Sequence, residues 1–166
     1  MKRLKSKGFT LIELLIVVAI IGIIAAIAIP SLLIAIQRAR QRRSMADMRA
    51  IAIAWEARNV DTNRYNAAGG VDGVDVVVDQ PSLVHALTPT YMTSMPVVDG
   101  WGNAYAFFTD QDFGGSTPAK RYAIISGGND GQISPGIFTG PFTSWDCDII
   151  YSQGAFLTYP DGYGQK

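Results

Sequence analysis

Leu14 to Ile36 is a run of 23 residues without a formal charge, built mostly from Ile, Leu, Val and Ala. As a helix rising ~1.5 Å per residue it reaches about 35 Å, enough for a hydrocarbon core of ~30 Å. What flanks it is equally constraining. Lys2, Arg3, Lys5 and Lys7 precede the run, Arg38, Arg40, Arg42, Arg43 and Arg49 follow it, and Glu13 stands directly at its start. Glycine and proline are concentrated beyond residue 60. A chain of 166 residues therefore divides into a helix-forming first third and a turn-rich remainder, one domain plus an extension. From Asp61 onward eleven aspartates face only Arg64, Lys120, Arg121 and Lys166. That acidic half argues against nucleic acid as a main partner and leaves room for cations. Cys147 is the one cysteine, so no intrachain disulfide can stiffen the distal loops.

Two general readings of the apolar run come first. In a plain signal anchor, Glu13 would sit at the membrane edge and reach outward to water. In a cleaved secretory signal, Lys2 to Lys7 would form the basic region and Ala26-Ile27-Ala28 the cut site. The run continues past that cut through Ser31 to Ile36, and Glu13 falls where the apolar core should begin. Both facts count against a secretory signal.

A third reading rests on resemblance. Lys7-Gly8-Phe9-Thr10-Leu11-Ile12-Glu13, followed by the apolar run, resembles the class III signal of type IV pilins and type II secretion pseudopilins. The resemblance implies cleavage by a prepilin peptidase after Gly8, which removes a leader of residues 1–8, and N-methylation of the new terminal Phe9. It also implies that Glu13 of an incoming subunit pairs with the Phe9 amine of its neighbour. A lone carboxylate in lipid costs at least ~2.5 to 3.5 kcal/mol, so a partner is needed. Gly22 and Pro30 match the family's helix-loosening positions, and Pro30 removes one backbone donor. With four arginines close behind the run and four cations ahead of it, charge does not orient the span. The resemblance does, placing the N-terminus in the cytoplasm.

Residues 37–60 contain neither glycine nor proline and read as an amphipathic second half of the same helix. Met45, Met48, Ala52 and Trp55 recur at helical spacing on one face, suited to packing on a sheet. The arginines behind the run fall at headgroup level before assembly, or else form a solvated face. The helix should end near Asp61 to Asn66, with Gly69-Gly70 confirming the break. Residues 61–166 then form a globular head. "GVDVVVDQP" suggests a short strand and "PSLVHALTPTYMTSMP" a short helix plus loop carrying the lone His85, read as a core or surface group. Strands are expected at Ala104–Thr109, Arg121–Ser126, Asp148–Ser152 and Ala155–Tyr159, with short links favouring antiparallel pairing. The fold class is α+β and pilin-like: one long N-terminal helix, membrane-spanning over 9–36, packed on a small antiparallel sheet.

The head extends the resemblance. Asp99, Trp101, Gly102 and Tyr105 match a family turn in which Gly100 and Ala104 replace two prolines, which suggests a looser turn here. Tyr122, Ser126, Gly128, Asp130 and Gly131, then Asp146, Asp148 and Ile149, resemble the family's calcium loop. The implied calcium ligands are Asp130, Asp146, Asp148 and a carbonyl near Gly127; the alternative is that these aspartates only make turns. Reading Asp146 and Asp148 as the acid/base pair of a membrane-anchored hydrolase is a distant alternative, because alternate strand residues face opposite ways. The absence of a paired distal cysteine and the Asp-Gly loop favour the major pseudopilin of type II secretion over a type IV pilus pilin, which would serve adhesion, motility or DNA uptake. The resemblance implies a non-enzymatic subunit anchored by a single pass in the bacterial inner membrane, with its head in the periplasm. Its implied partners are further copies of itself, other pseudopilins, the prepilin peptidase, the assembly platform with its ATPase, and the lipid bilayer.

Overall fold

Without glycine or proline between Gln37 and Asn59, nothing in that stretch interrupts helical hydrogen bonding, and helix α1 spans Leu11–Thr62 in the computed structural model. The structure describes residues 8–65, 70–71, 74–78, 80–111, 117–134 and 140–161. Lys2 to Lys7, Asn66, Gly69 and parts of the loops at 112–116 and 135–139 lie outside the described residues. Asn63 terminates α1 in the left-handed conformation (φ 54°), its N–H donating to the Asn59 carbonyl at 2.7 Å. By density of internal packing the chain forms two compact units, Met1–Ile36 and Gln37–Lys166.

The first unit buries almost nothing. Leu11 is 83% exposed and Ile27 74%, and the other large apolar side chains of the run are exposed as well. An apolar surface of this extent with no cover of its own marks a membrane or protein interaction site.

The second unit is built around a sheet. Its strands are β1 (Gly70–Val71), β2 (Val74–Val78), β3 (Ala106–Thr109), β4 (Tyr122–Ser126), β5 (Gly140–Phe142), β6 (Ile149–Ser152) and β7 (Ala155–Pro160), in the order β1-β2-β3-β4-β6-β7-β5. A short helix, α2 (Gln80–Leu87), lies between β2 and β3 in the chain. Neighbouring strands are antiparallel except β5, which pairs parallel to β7 with Gly140 opposite Thr158. The sheet is thus mixed at one edge, where the sequence reading has only antiparallel pairing. β5 is three residues long with a central proline, too short and too proline-disrupted to register as a strand from pattern alone. Between β6 and β7 the link is two residues, Gln153 (φ 47°) and Gly154 (φ 88°), the paired positive dihedrals of a type I′ hairpin.

The apolar stripe of α1 faces this sheet. Met48, Ile51, Ala52 and Trp55 are fully buried with Phe107 of β3, Tyr122 and Ile124 of β4, Ile149 of β6, and Leu83 and Leu87 of α2. Burying one such large side chain is worth ~1.5 to 3 kcal/mol, so this stripe dominates the head's stability. Trp55 sits at its centre. Its ring lies 5.1 Å from that of Tyr122 and 6.2 Å from that of Phe107, and its indole N–H donates to the Tyr65 carbonyl at 3.0 Å. The Tyr122 hydroxyl donates to Glu56, which provides for the one polar atom of a buried ring.

The turn 99–103 departs from the expected looseness, and the reason is steric. A side-chain Cβ at Gly100 would stand 2.2 Å from the Arg40 carbonyl oxygen of α1, so glycine alone lets the turn approach the helix backbone. The Gly100 N–H also donates to the Ser44 hydroxyl at 2.9 Å, a bond that proline could not make. Glycine at position 100 therefore fastens the turn to α1. Gly100→Ala should destabilise the isolated head (residues 37–166) by roughly 1 to 3 kcal/mol, as overpacking does elsewhere, and Gly100→Pro by more; urea unfolding followed by tryptophan fluorescence reads both.

Candidate functional site

Gly8, Phe9 and Thr10 precede α1 in exposed, non-helical backbone, and the space a Gly8 side chain would occupy is open. An accessible extended peptide is what a peptidase needs at its cut. Immediately afterwards Thr10 and Glu13 close on each other. The Thr10 N–H donates to Glu13 Oε2 at 2.8 Å, the Thr10 hydroxyl donates to the same oxygen at 2.6 Å, and the Glu13 N–H points to the Thr10 hydroxyl at 3.3 Å. This is a capping box, in which two otherwise orphaned donors of a helix start are satisfied reciprocally. The carboxylate also meets the positive end of the helix dipole. Glu13 thus has local partners within its own chain.

Gly22 and Pro30 both lie inside α1, which continues through them. At Pro30 the missing N–H leaves the Ala26 carbonyl without its usual donor four residues on, a local weak point in the hydrogen-bond ladder.

The aspartate-rich loops of the head meet at one corner. Gly128 (φ 63°) makes this possible, because a Cβ there would lie 2.7 Å from the Cys147 carbonyl and 2.8 Å from that of Trp145. Asn129 ties the two loops, its N–H to the Trp145 carbonyl at 3.0 Å and its side-chain amide to Asp146 Oδ1 at 2.9 Å. Asp130 Oδ1 caps its own turn through the Gln132 N–H at 3.0 Å, and the Gly127 carbonyl accepts from the Gly131 N–H at 3.1 Å. Asp148 differs from both. Its Oδ2 accepts from the Ser134 N–H at 2.8 Å, whereas Oδ1 is shielded from solvent and has no hydrogen-bond donor among the described residues. Burial pushes the Asp148 carboxyl above the ordinary carboxylate range, and the negative charge of Asp130 adds to the shift. Among the described residues no three His, Cys, Asp or Glu side chains converge closely enough to enclose a metal ion. The four expected ligands share a corner of the fold, and all four accept protein hydrogen bonds, Asp148 through Oδ2 alone. Cys147 lies half-buried in the same corner; burial pushes its thiol up, and Asp148, Asp146 and Asp130 push it further.

This corner is linked to α1. The Trp101 indole donates to Gln37 Oε1 at 2.6 Å, the Gln37 amide reaches Asn129 Oδ1 at 3.4 Å, and the Asn103 amide donates to the Gly128 carbonyl at 2.8 Å. Asp99, 2% exposed, accepts from the Trp101 and Asn103 N–H groups through Oδ1 and from the Ser126 hydroxyl through Oδ2.

Comparison with known proteins places both halves. The prokaryotic N-terminal methylation motif matches residues 3–29, and the family model for type II secretion system (T2SS) protein G matches residues 31–136. A type II secretion system core protein G of Aeromonas hydrophila is 30% identical over 138 residues, covering 80% of this chain and 89% of that protein. The chain belongs to the type II secretion protein G family. The core protein G of Pseudomonas aeruginosa is likewise 30% identical, over 79% of this chain and 91% of its own length. The type IV major pilin PilA of Myxococcus xanthus is 44% identical, but over only 62 residues, 37% of this chain and 28% of the pilin. No solved structure matches the chain significantly.

Several residues of this arrangement escape the sequence reading. Thr10 carried a usable signal, since Thr-x-x-Glu ahead of an apolar run is a capping box. Gln37 and Asn129 carried none, being ordinary polar residues 92 positions apart in the chain. Thr10→Val should fray the helix start by about 1 kcal/mol, roughly a fivefold loss of amide protection at Glu13, Leu14 and Leu15 in micelles. Hydrogen exchange measured by NMR, with Thr10→Ser retaining protection, reads the effect.

Proposed function

We propose that this protein is the major structural subunit of a type II secretion pseudopilus. It is stored in the bacterial inner membrane by the first part of α1, with the head in the periplasm, and polymerised through that same helix. Glu13 is the observation that carries this reading: it is a carboxylate on an uncovered apolar helix, four residues beyond Phe9 of an open Gly8-Phe9 bond. While the subunit waits in lipid, Thr10 supplies donors that offset part of the carboxylate's desolvation. Once prepilin peptidase has cut after Gly8, the Phe9 amine of a neighbouring copy offers a full positive charge. Removing one member of a buried ion pair costs ~3 to 5 kcal/mol, enough to decide whether a subunit joins in register. Contacts between Ile and Leu cannot decide it, because lipid tails are equally apolar. The assembly platform and its ATPase supply the work of extraction, and other pseudopilins join the same fibre. The subunit itself is not an enzyme.

The type IV pilus alternative has less support. The pilin likeness stops at 62 residues, while that to protein G runs through the head. Under the pseudopilin reading, mass spectrometry of the mature chain begins at a methylated Phe9. Glu13→Ala should insert normally and be processed, yet give no fibres; normal fibre yield from that variant overturns the pairing.

We also propose that the aspartate corner takes calcium. Asp148 Oδ1 has no hydrogen-bond donor among the described residues, Asp130 adds negative charge near it, and the donor set is all hard oxygen, as calcium prefers. Backbone carbonyls and water would complete the shell. A cation there offsets the burial cost, and the lesser Asp130 repulsion, that raise the Asp148 pKa, and pins loops that have no disulfide. Without calcium, the raised pKa means the folded state holds its proton more tightly. The cost of the buried charge is then full at neutral pH and fades as pH falls toward the ordinary carboxylate range. Thermal unfolding should separate the two conditions. Calcium should raise the melting temperature of the wild-type head but not of Asp148→Asn, and with chelator Asp148→Asn should equal or exceed wild type. Equal calcium response in both proteins would exclude Asp148 as a ligand.

A further inference from the structure

Arg38 and Arg42 lie one helical turn apart on α1 and line a groove of about 370 Å³ with Met45, Tyr159 and Asp161. The far wall is the end of β7, fastened to α1 by the Gln41 amide, which donates to the Pro160 carbonyl. The lining is chemically mixed: two guanidinium groups and one carboxylate beside a thioether and an aromatic ring. Arg40 and Arg43 stand beside it, exposed on the same two turns, with Arg43 3.7 Å from Asp47. Position along α1 is the second observation. Arg38 to Arg42 follow Ile36, the last residue of the apolar run, by two to six residues, which is ~3 to 9 Å at helical rise. The headgroup layer of a bilayer occupies roughly 5 to 8 Å beyond the hydrocarbon on each side. Arg38 and Arg42 therefore fall at phosphate depth when the apolar run spans a membrane.

We propose that this groove is a binding site for the headgroup of an anionic phospholipid, with Arg42 as the principal phosphate contact. A planar guanidinium presents paired N–H groups to two phosphate oxygens, and such charge-assisted pairs are roughly twice as strong as neutral ones. Met45 and Tyr159 supply an apolar surface for the glycerol and the upper acyl chain. Asp161 limits the site to a single net positive charge among the lining residues, which suits one phosphate and not a polyanion. The site holds the stored subunit at a defined depth, and extraction into a fibre must break it. This inference rests on the membrane-spanning reading of α1 and is independent of Glu13 pairing.

Native mass spectrometry of the full chain in detergent tests it, using phosphatidylglycerol and phosphatidylcholine with identical acyl chains. Wild type should retain one phosphatidylglycerol with about tenfold preference, equivalent to ~1.4 kcal/mol. Arg42→Gln should bring the two lipids near parity. Arg42→Lys, which keeps charge but loses the fork, should fall between them. Arg64→Gln, on the exposed end of the head, should match wild type, and helicity by circular dichroism should be unchanged throughout. Equal retention of the two lipids by wild type overturns the proposal, as does an unaltered preference in Arg42→Gln or an equal loss in Arg64→Gln. Displacement of the lipid by excess inorganic phosphate would identify a free-anion site instead, and dimers forming at the expense of lipid would assign the groove to a second copy. Any of these outcomes leaves the cleavage and fibre reading standing.

Discussion

The carboxylate of Glu13 and the donors that reach it govern the first unit of this protein. A charge in hydrocarbon is costly, and the sequence retains one at the head of a helix that is otherwise apolar to Ile36. Thr10 makes the residence tolerable by offering two donors to a single oxygen. Those donors are neutral, so they offset the carboxylate's charge less than an ammonium group would. Under the proposed pairing, a subunit waits in lipid on the Thr10 donors and gains when the Phe9 amine of a neighbour replaces them. The same logic explains the bare apolar surface around it: lipid covers it first and neighbouring helices later, with little difference in hydrophobic energy between the two. Polar pairing is left to discriminate.

In the second unit the corresponding constraint is how close a turn can come to α1. Gly100 presses against the Arg40 carbonyl and hydrogen-bonds Ser44, while Asp99 next to it collects three donors in the interior. Trp101 and Gln37 carry the connection onward to Asn129 and thus to the loops bearing Asp146 and Asp148. Loop order and helix attachment are joined through a handful of side chains. Whatever tightens the aspartate corner therefore also steadies the turn that grips α1.

Much of this was legible in the sequence for identifiable reasons. The spacing of Met48, Ala52 and Trp55 told which face of α1 is buried, because a helix repeats every 3.6 residues and a core needs a continuous stripe. The strands at β3, β4, β6 and β7 announced themselves by apolar runs between glycine-bearing loops. Gly8, Phe9 and Glu13 stood out because a charge and a glycine are anomalous there. What stayed hidden depends on residues distant in the chain. Gly100 read as a loosened proline turn, since nothing local reveals that a helix backbone lies within van der Waals reach. The parallel edge strand β5 was hidden by its proline. Asp148 looked equivalent to Asp130 and Asp146, and only its burial distinguishes it.

Cys147 has a bearing on the protein's life among its own kind. A subunit packed side by side with identical copies, in a compartment that oxidises thiols, risks being welded to its neighbours by covalent cross-links. Its single sulfur is half-covered and surrounded by three aspartates, so that very little of it exists as the reactive thiolate at neutral pH. The acidic corner thereby works against thiolate chemistry between neighbouring copies.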